Sequence, residues 1–245
     1  MVGWRALVPI VAGLTSAVMV AGSGAVPAAH AEPQPAVSQP AVPEPAVSKL
    51  VVSQPAGLDQ KVVYLTFDDG PSEYTTRVLD ILRRHDVRAT FFLIGANIRQ
   101  HRALARRVFE QGHSLQNHSW SHPDMRGLSW PAFKRQVLDT DAEIRKQTGY
   151  TPQCLRPPYG AVDKRVRKRA AALDKRLRLW TVDPRDWARP GAKSIARWTL
   201  KQVEPGGIVL FHDGGGDRRQ TVAALPKIIK TLKARGYVFH RLWCG

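Results

Sequence analysis

The stretch Val62-Val63-Tyr64-Leu65-Thr66-Phe67-Asp68-Asp69-Gly70-Pro71 constrains this chain more than any other. An apolar, β-branched run stops abruptly at two adjacent carboxylates, and a Gly-Pro turn follows. The run reads as a buried strand. Asp68 and Asp69 then stand at its C-terminal mouth, where parallel α/β folds place their chemistry. Adjacent carboxylates repel each other, and a fold tolerates them cheaply only with positive charge between or beside them. A metal ion or an arginine would serve. A plain Asp-Gly turn after a strand would explain the same residues without any function, so the rest of the chain decides.

From about residue 59 to residue 245, short apolar runs alternate with longer amphipathic stretches, a length that fits one domain with a sizeable core. Strands are expected at 62–68, 89–95, 114–117, 154–157, 177–183, 207–212 and 237–242. Helices are expected at roughly 75–85, 98–111, 130–148, 163–174, 192–202 and 221–235. The third of these has Ser129 as N-cap and carries Trp130, Phe133, Val137 and Ile144 on one side. The last carries Val222, Leu225, Ile229 and Leu232 at helical spacing and stops at Gly236. Strand-then-helix alternation implies a parallel sheet, closed or open. Seven strands in one body favour an α/β barrel.

The first 58 residues read differently. Residues 1–31 have the form of a secretory signal peptide: Arg5, an apolar stretch from Ala6 to about Ala21, and a small-x-small cleavage site at Ala29-His30-Ala31. A retained membrane anchor is the alternative. The apolar run falls short of the ~20 residues of a spanning helix, and Pro9, Gly13, Thr15 and Ser16 interrupt it. Residues 32–58 read as a linker, with Pro-Ala-Val recurring at 35–37, 40–42 and 45–47. Proline at that density holds the backbone extended and removes amide donors. The expected product is secreted, extracellular or associated with the cell wall.

The formal net charge is +17, and loss of the leader removes only Arg5, leaving +16. Such a charge suits an anionic cell envelope; a merely solvated basic surface is the plainer reading. No basic run with interleaved aromatics marks a nucleic-acid groove, so no nucleic-acid partner is expected, and a monomer is. The two cysteines, Cys154 and Cys244, permit a disulfide in an exported chain; the sequence leaves the pairing open. With no third thiol, a cysteine-based zinc site is disfavoured.

His118-Ser119-Trp120-Ser121-His122 puts two imidazoles at i and i+4, which in a helical turn share a face and can reach one metal. Two histidines need a carboxylate from elsewhere, and Asp69 is the obvious supplier. A two-His-one-carboxylate set leaves positions open for water and substrate. Arg156-Pro157-Pro158-Tyr159-Gly160 follows a predicted strand. Its double proline would aim the Tyr159 amide in one direction, toward a developing oxyanion, or would simply make a rigid turn. Arg156 could pair with a carboxylate that must stay ionised. Asp183-Pro184-Arg185-Asp186-Trp187 ends another strand, with Trp187 either lining a sugar-sized cleft or packed in the core. Ile208-Val209-Leu210-Phe211-His212-Asp213 brings a histidine to the fourth strand end with an ionisable group at one mouth.

Those stretches together resemble the NodB-homology polysaccharide deacetylases, carbohydrate esterase family four. Five motifs of that family occur in order: Thr66-Phe67-Asp68-Asp69-Gly70, His118-Ser119-Trp120-Ser121-His122, Arg156-Pro157-Pro158-Tyr159, Asp183-Pro184-Arg185-Asp186-Trp187 and Leu210-Phe211-His212. The resemblance spans about residues 60–243. Glu73-Tyr74, where a Pro-rich pair is usual, and Gln116, in place of a usual Gly, depart from the pattern. The resemblance implies a single-domain distorted (β/α) barrel with seven or eight parallel strands. It implies a divalent metal, usually Zn2+ with Co2+ as an alternative, on Asp69, His118 and His122. Asp68 would be the general base toward water, His212 the acid for the leaving amine, and the Tyr159 amide an oxyanion donor. Arg156 would keep Asp68 ionised, Asp186 would orient His212, and Trp187 and Leu210 would be cleft walls. The implied function is N-deacetylation of N-acetylglucosamine polymers, peptidoglycan or chitin oligomers, with release of acetate. An acetylxylan esterase on the same site and a non-catalytic wall-binding protein are the alternatives.

Overall fold

The computed structural model describes residues 60–244. The leader expected at 1–31 and the linker expected at 32–58 lie outside the described residues. Every described residue falls in one unit, Val52–Gly245.

The centre of that unit is β1 (Lys61–Asp68), whose side chains alternate between two covered faces. Val63, Leu65 and Phe67 are fully buried in one cluster with Leu79 and Leu82 of α1 (Glu73–Arg84) and Ile228, Ile229 and Leu232 of α7 (Arg219–Ala234). Tyr64, Thr66 and Asp68 point the other way. Tyr64 and its register partner Ile208 pack against the cluster of Phe92, Cys154, Leu242 and Cys244, while Thr66 and Asp68 meet Arg156. A parallel strand buried on both faces reads as a continuous apolar run, as this one does.

Among the described residues there are seven strands, all parallel. β6 (Gly207–His212) runs beside β1 from Val63 to Asp68. The opposite edge of β1 is shared: β7 (Tyr237–Phe239) pairs with Lys61–Val63 and β2 (Thr90–Leu93) with Thr66–Asp68. Beyond β2 follow β3 (Ser114–Asn117), β4 (Cys154–Leu155) and β5 (Arg176–Leu177). The intervening helices are α2 (Gly95–Gln100), α3 (Arg102–Glu110), α4 (Trp130–Thr148), α5 (Lys164–Ala171) and α6 (Ala192–Gln202). α4 starts where its cap residue indicated: the Ser129 side chain accepts from the Ala132 amide. It ends at Gly149, whose φ of 72° lies in the left-handed region that glycine adopts freely.

Two expected elements are broken. The strand expected at 177–183 splits: Arg176 and Leu177 pair with β4, and Val182 bridges to Val209 of β6. One extended segment thus touches both ends of the sheet, and this is the distortion in the barrel. The carbonyls of Arg178 and Leu179, out of the ladder, accept from the Arg156 guanidinium at 3.0 Å each. The helix expected at 98–111 is two helices, interrupted at His101 (φ −125°, ψ 47°). No Gly or Pro marks that break. Gly95 opens α2 because the Trp120 ring lies where a side chain would project; a Cβ there would sit 2.4 Å from it. The strands expected at 89–95, 154–157 and 237–242 are each shorter than the apolar run suggested.

Cys154 and Cys244 form a disulfide with 5.4 Å between Cα atoms. Together with Phe92 and Leu242 they form a buried apolar cluster on the inner face of the sheet.

Candidate active site

Consecutive residues on a strand point to opposite faces, so adjacent aspartates should diverge. They converge because the strand ends at Asp68 and Asp69 turns into left-handed backbone, φ 73°. Asp68 stays on the inner face, 2% exposed, with Oδ1 2.7 Å from Arg156 Nη1. Arg156 is itself fully buried. Its guanidinium also donates to Thr66 Oγ1 and to the two carbonyls of the broken strand. One arginine thus binds the gap in the barrel to the first aspartate.

The His118–His122 segment is not the helical turn expected from its spacing. β3 ends at Asn117, and Ser119 and His122 adopt left-handed backbone, φ 67° and 60°. The rings still converge. His118 Nε2 lies 3.4 Å from Asp69 Oδ1, and His122 Nε2 lies 3.3 Å from the same oxygen. His118 Nδ1 is 2.6 Å from the Arg156 carbonyl, which can only accept, so Nδ1 carries the hydrogen. A neutral His118 therefore turns its Nε2 lone pair toward Asp69. Burial works against protonation of His118, yet the charges of Asp68 and Asp69 raise its pKa. Burial alone would raise the Asp69 carboxyl; the facing imidazoles of His118, His212 and His122 hold it well below the usual carboxylate range.

These three residues fit a divalent metal. Among the described residues three buried side-chain polar atoms lack a hydrogen-bond partner, and Asp69 Oδ1 is one of them. Donor atoms about 2 Å from a tetrahedral ion stand ~3.3 Å apart, which is the spacing of Asp69 Oδ1 from each of the two imidazole nitrogens. Asp69, His118 and His122 are also the one group of such side chains among the described residues whose ligand atoms all lie within 4.8 Å.

His212 ends β6 in register with Asp68 across the ladder. Its Nδ1 is 2.7 Å from Asp186 Oδ1, and its backbone amide donates to Asp186 Oδ2 at 2.9 Å. Thr221 Oγ1 donates to that second oxygen at 2.8 Å. Burial would lower the His212 pKa, but the hydrogen bond and charge of Asp186, with Asp68 and Asp69 nearby, lift it to about 8. Tyr159 sits in the short 3₁₀ turn Pro158–Gly160 with φ 61°. Its ring is 70% exposed and stands edge-on to His122, centroids 4.6 Å apart. The first amides of such a turn have no acceptor within it, so the Tyr159 N–H is available. Trp187 is half-exposed, with the Arg185 guanidinium 5.1 Å over its ring. Leu210 lies one pleat below His212, pairs with Thr66 in register, and is 3% exposed. It is floor beneath the site and offers a substrate almost no surface.

Two features escaped the sequence reading. Asp213, next to His212, is fully buried; its Oδ2 accepts from Thr75 Oγ1 at 2.5 Å and its Oδ1 has no partner. Burial, then the charges of Asp69 and Asp68, raise its pKa to about 7. The glycine run 214–216 closes over Asp69: a Cβ on Gly215 would lie 2.4 Å from Asp69 Oδ2, and one on Gly214 2.1 Å from the Asp69 carbonyl. Three consecutive glycines after a histidine-bearing strand were the available signal.

Comparison with known proteins gives the family and the fold. A family model described as polysaccharide deacetylase matches residues 56–177. A peptidoglycan-N-acetylglucosamine deacetylase of Bacillus cereus is 41% identical over 184 residues, covering 74% of this chain and 86% of that protein. This chain belongs to the polysaccharide deacetylase family. A chitooligosaccharide deacetylase of Rhizobium leguminosarum bv. trifolii is 38% identical over 199 residues, covering 76% and 93% of the two chains. The solved structure of Bc1960, a peptidoglycan N-acetylglucosamine deacetylase, superposes with a TM-score of 0.73 at 35% identity, covering 75% and 87%. As a deacetylase of this family the protein is a hydrolase acting on carbon–nitrogen bonds. The family match stops at Leu177, so Asp186 and His212 lie outside it. The fold is what brings that pair to the mouth holding Asp68 and Asp69.

Proposed function

We propose that the protein is an exported, metal-dependent deacetylase that hydrolyses N-acetyl groups of N-acetylglucosamine polymers, peptidoglycan or chitin oligomers, and releases acetate. The observation that carries this reading is the unsatisfied Asp69 Oδ1 facing two imidazole nitrogens at 3.3 and 3.4 Å, flanked by the Asp68–Arg156 and His212–Asp186 pairs. The named relatives support the substrate class, being deacetylases of peptidoglycan N-acetylglucosamine and of chitooligosaccharide. The leader-like residues 1–31 and the basic charge support export toward an anionic envelope.

Asp69, His118 and His122 hold the cation, with Zn2+ the first choice and Co2+ a working substitute. When bound there, a divalent cation lowers the pKa of water toward neutrality and polarises the acetyl carbonyl. Asp68, paired with the buried Arg156 at 2.7 Å, takes the proton of the attacking water. The Tyr159 N–H donates to the oxygen of the tetrahedral intermediate. His212 binds Asp186 through Nδ1, which leaves Nε2 to give its proton to the departing nitrogen. The carbon–nitrogen bond breaks, and the products are acetate and the free amine. Trp187 gives an apolar face against a sugar ring.

Acetate release by the full chain tests this, on N-acetylglucosamine oligomers and peptidoglycan set against acetylxylan. Release from the amino sugars that stops with chelator and returns with Zn2+ or Co2+ is the expected result. Release from acetylxylan alone would overturn the substrate assignment, and binding of polymer with no turnover would overturn the enzyme reading for this site.

A further inference from the structure

The two histidines of the metal site stand on backbone that no regular element supports. Left-handed conformations at Ser119 and His122 are unfavourable for residues with a Cβ and persist only where the surroundings hold them. The Gly95 and Ala96 amides of α2 donate to the Ser119 and Trp120 carbonyls at 3.0 Å each, and the side chains that hold the loop amides are anchored on α4. Gln136 of α4 accepts from the Trp120 amide at 2.8 Å and from the Ser121 amide at 3.0 Å through Oε1. Its Nε2 donates to Ser121 Oγ at 2.9 Å. One turn further on, Asp141 Oδ1 accepts from Asn117 Nδ2 at 2.7 Å. The same nitrogen donates to the Val137 carbonyl at 2.8 Å. With two acceptors on its nitrogen, the Asn117 amide has one orientation, and its Oδ1 must face the Ser119 amide, at 2.8 Å. Behind Asp141, Lys175 Nζ lies 2.6 Å from Oδ2. Asn117 is fully buried, and Asp141 and Lys175 are 7% and 9% exposed. Burial raises the Asp141 pKa, and the hydrogen bonds from Lys175 and Asn117 work against that rise. The two arms therefore end on the amides of Ser119, Trp120 and Ser121, the three residues that separate His118 from His122.

We propose that Gln136 and Asp141, with Lys175 behind Asp141, are positioning residues that set the separation of the two imidazole ligands, an inference that rests on the metal-site reading above. None of the three is a ligand. They act through Asn117 and the intervening amides, the role outer-sphere partners play when they orient metal ligands.

The test uses the full chain and the variants Gln136→Met, Gln136→Glu and Asp141→Asn. Zn2+ affinity is measured by competition with a chromophoric chelator, and ligand geometry from the visible spectrum of the Co2+-loaded protein. Gln136 is half-exposed, so Gln136→Met tests the loop without emptying the core. Gln136→Met is expected to weaken Zn2+ binding about tenfold or more and to alter the Co2+ spectrum, with Asp141→Asn changing both in the same direction. Gln136→Glu keeps an acceptor for both amides and should restore affinity to within about threefold. Folded Gln136→Met and Asp141→Asn proteins with wild-type affinity and spectrum would overturn the inference while leaving the metal site standing. A folded wild type that binds neither Zn2+ nor Co2+ would overturn the metal-site reading itself, and this inference with it.

Discussion

The site has two halves built in opposite ways. The half proposed for acid–base work stands on regular strands: Asp68 and His212 are register partners across the β1–β6 ladder. Each is held by a buried group, Asp68 by Arg156 and His212 by Asp186. The half proposed for the metal stands off the strands: Asp69 and His122 are in left-handed backbone, and His118 follows the last residue of β3. A ladder sets the spacing of two side chains through backbone hydrogen bonds alone. Irregular backbone needs other groups to hold it, here Gln136, Asn117 and Asp141 on the histidine loop, with the glycine run packed over Asp69. On the proposed function, the proton-transfer residues are thus tied to the sheet, and the metal ligands to what packs on its loops.

The sharpest way to break this comparison is to mutate the neighbouring aspartates. Asp68→Asn should cost activity by about 10²- to 10⁴-fold while metal stays bound, since a general base is lost but no ligand is. Asp69→Asn should lose the metal as well. Measuring kcat/KM alongside metal stoichiometry separates the two; metal loss from Asp68→Asn would show that the halves are not distinct.

Removing Arg156 tests the sheet-bound half through stability. Arg156→Met leaves the buried Asp68 carboxylate without its cation, and uncompensated buried charges cost on the order of 3–5 kcal/mol. The carbonyls of Arg178 and Leu179 lose their donor in the same step. A denaturant midpoint close to the wild type would contradict this account of the barrel gap.

His212 supplies a pH signature. Its pKa is raised to about 8, so the acid form is present below that value and is lost as pH rises through it. Activity that needs the protonated imidazole should fall on the alkaline side, with a limb near that pH. Asp186→Asn removes the group that lifts the pKa, and the limb should move toward lower pH. An unmoved limb would assign it to another group.

Gly215→Ala addresses the metal half with the smallest change of atoms. The added Cβ would meet Asp69 Oδ2 at 2.4 Å, and φ is 68°. Strain at such a position costs about 1–3 kcal/mol, and Zn2+ affinity should fall with it. The disulfide offers the mildest functional contrast. It closes a sequence separation of 90 residues, so the Cys154→Ser, Cys244→Ser double variant should lose about 2–5 kcal/mol of stability. Metal affinity should be nearly unchanged, because neither sulfur touches the ligands. Calorimetry with and without Zn2+ would show whether the two effects separate.

How much of this was legible in the chain follows from the range of each interaction. The apolar run at 62–68, the Ser129 cap and the bounds of α4 at 130–148 depend on near neighbours, and they lie where sequence reasoning puts them. The five motifs identified the candidate site residues and the family. The sequence left open whether Cys154 pairs with Cys244, and it suggested a helical turn for residues 118–122 that the fold does not have. It also suggested one strand at 177–183, because an apolar run carries no sign that its two ends will pair with different partners. The break at His101, the burial of Asp213 and the hold of Gln136 and Asp141 on the histidine loop carry no local signature either. Each depends on contacts between residues far apart in the chain. The sequence by itself determined which groups are present and the order of strands and helices, because side-chain chemistry and periodicity are local. Only the tertiary structure decided that Asp69 turns back beside Asp68, that Arg156 spans the gap in the barrel, and that His212 faces the same mouth. Those outcomes depend on ladder register and on packing across the sheet.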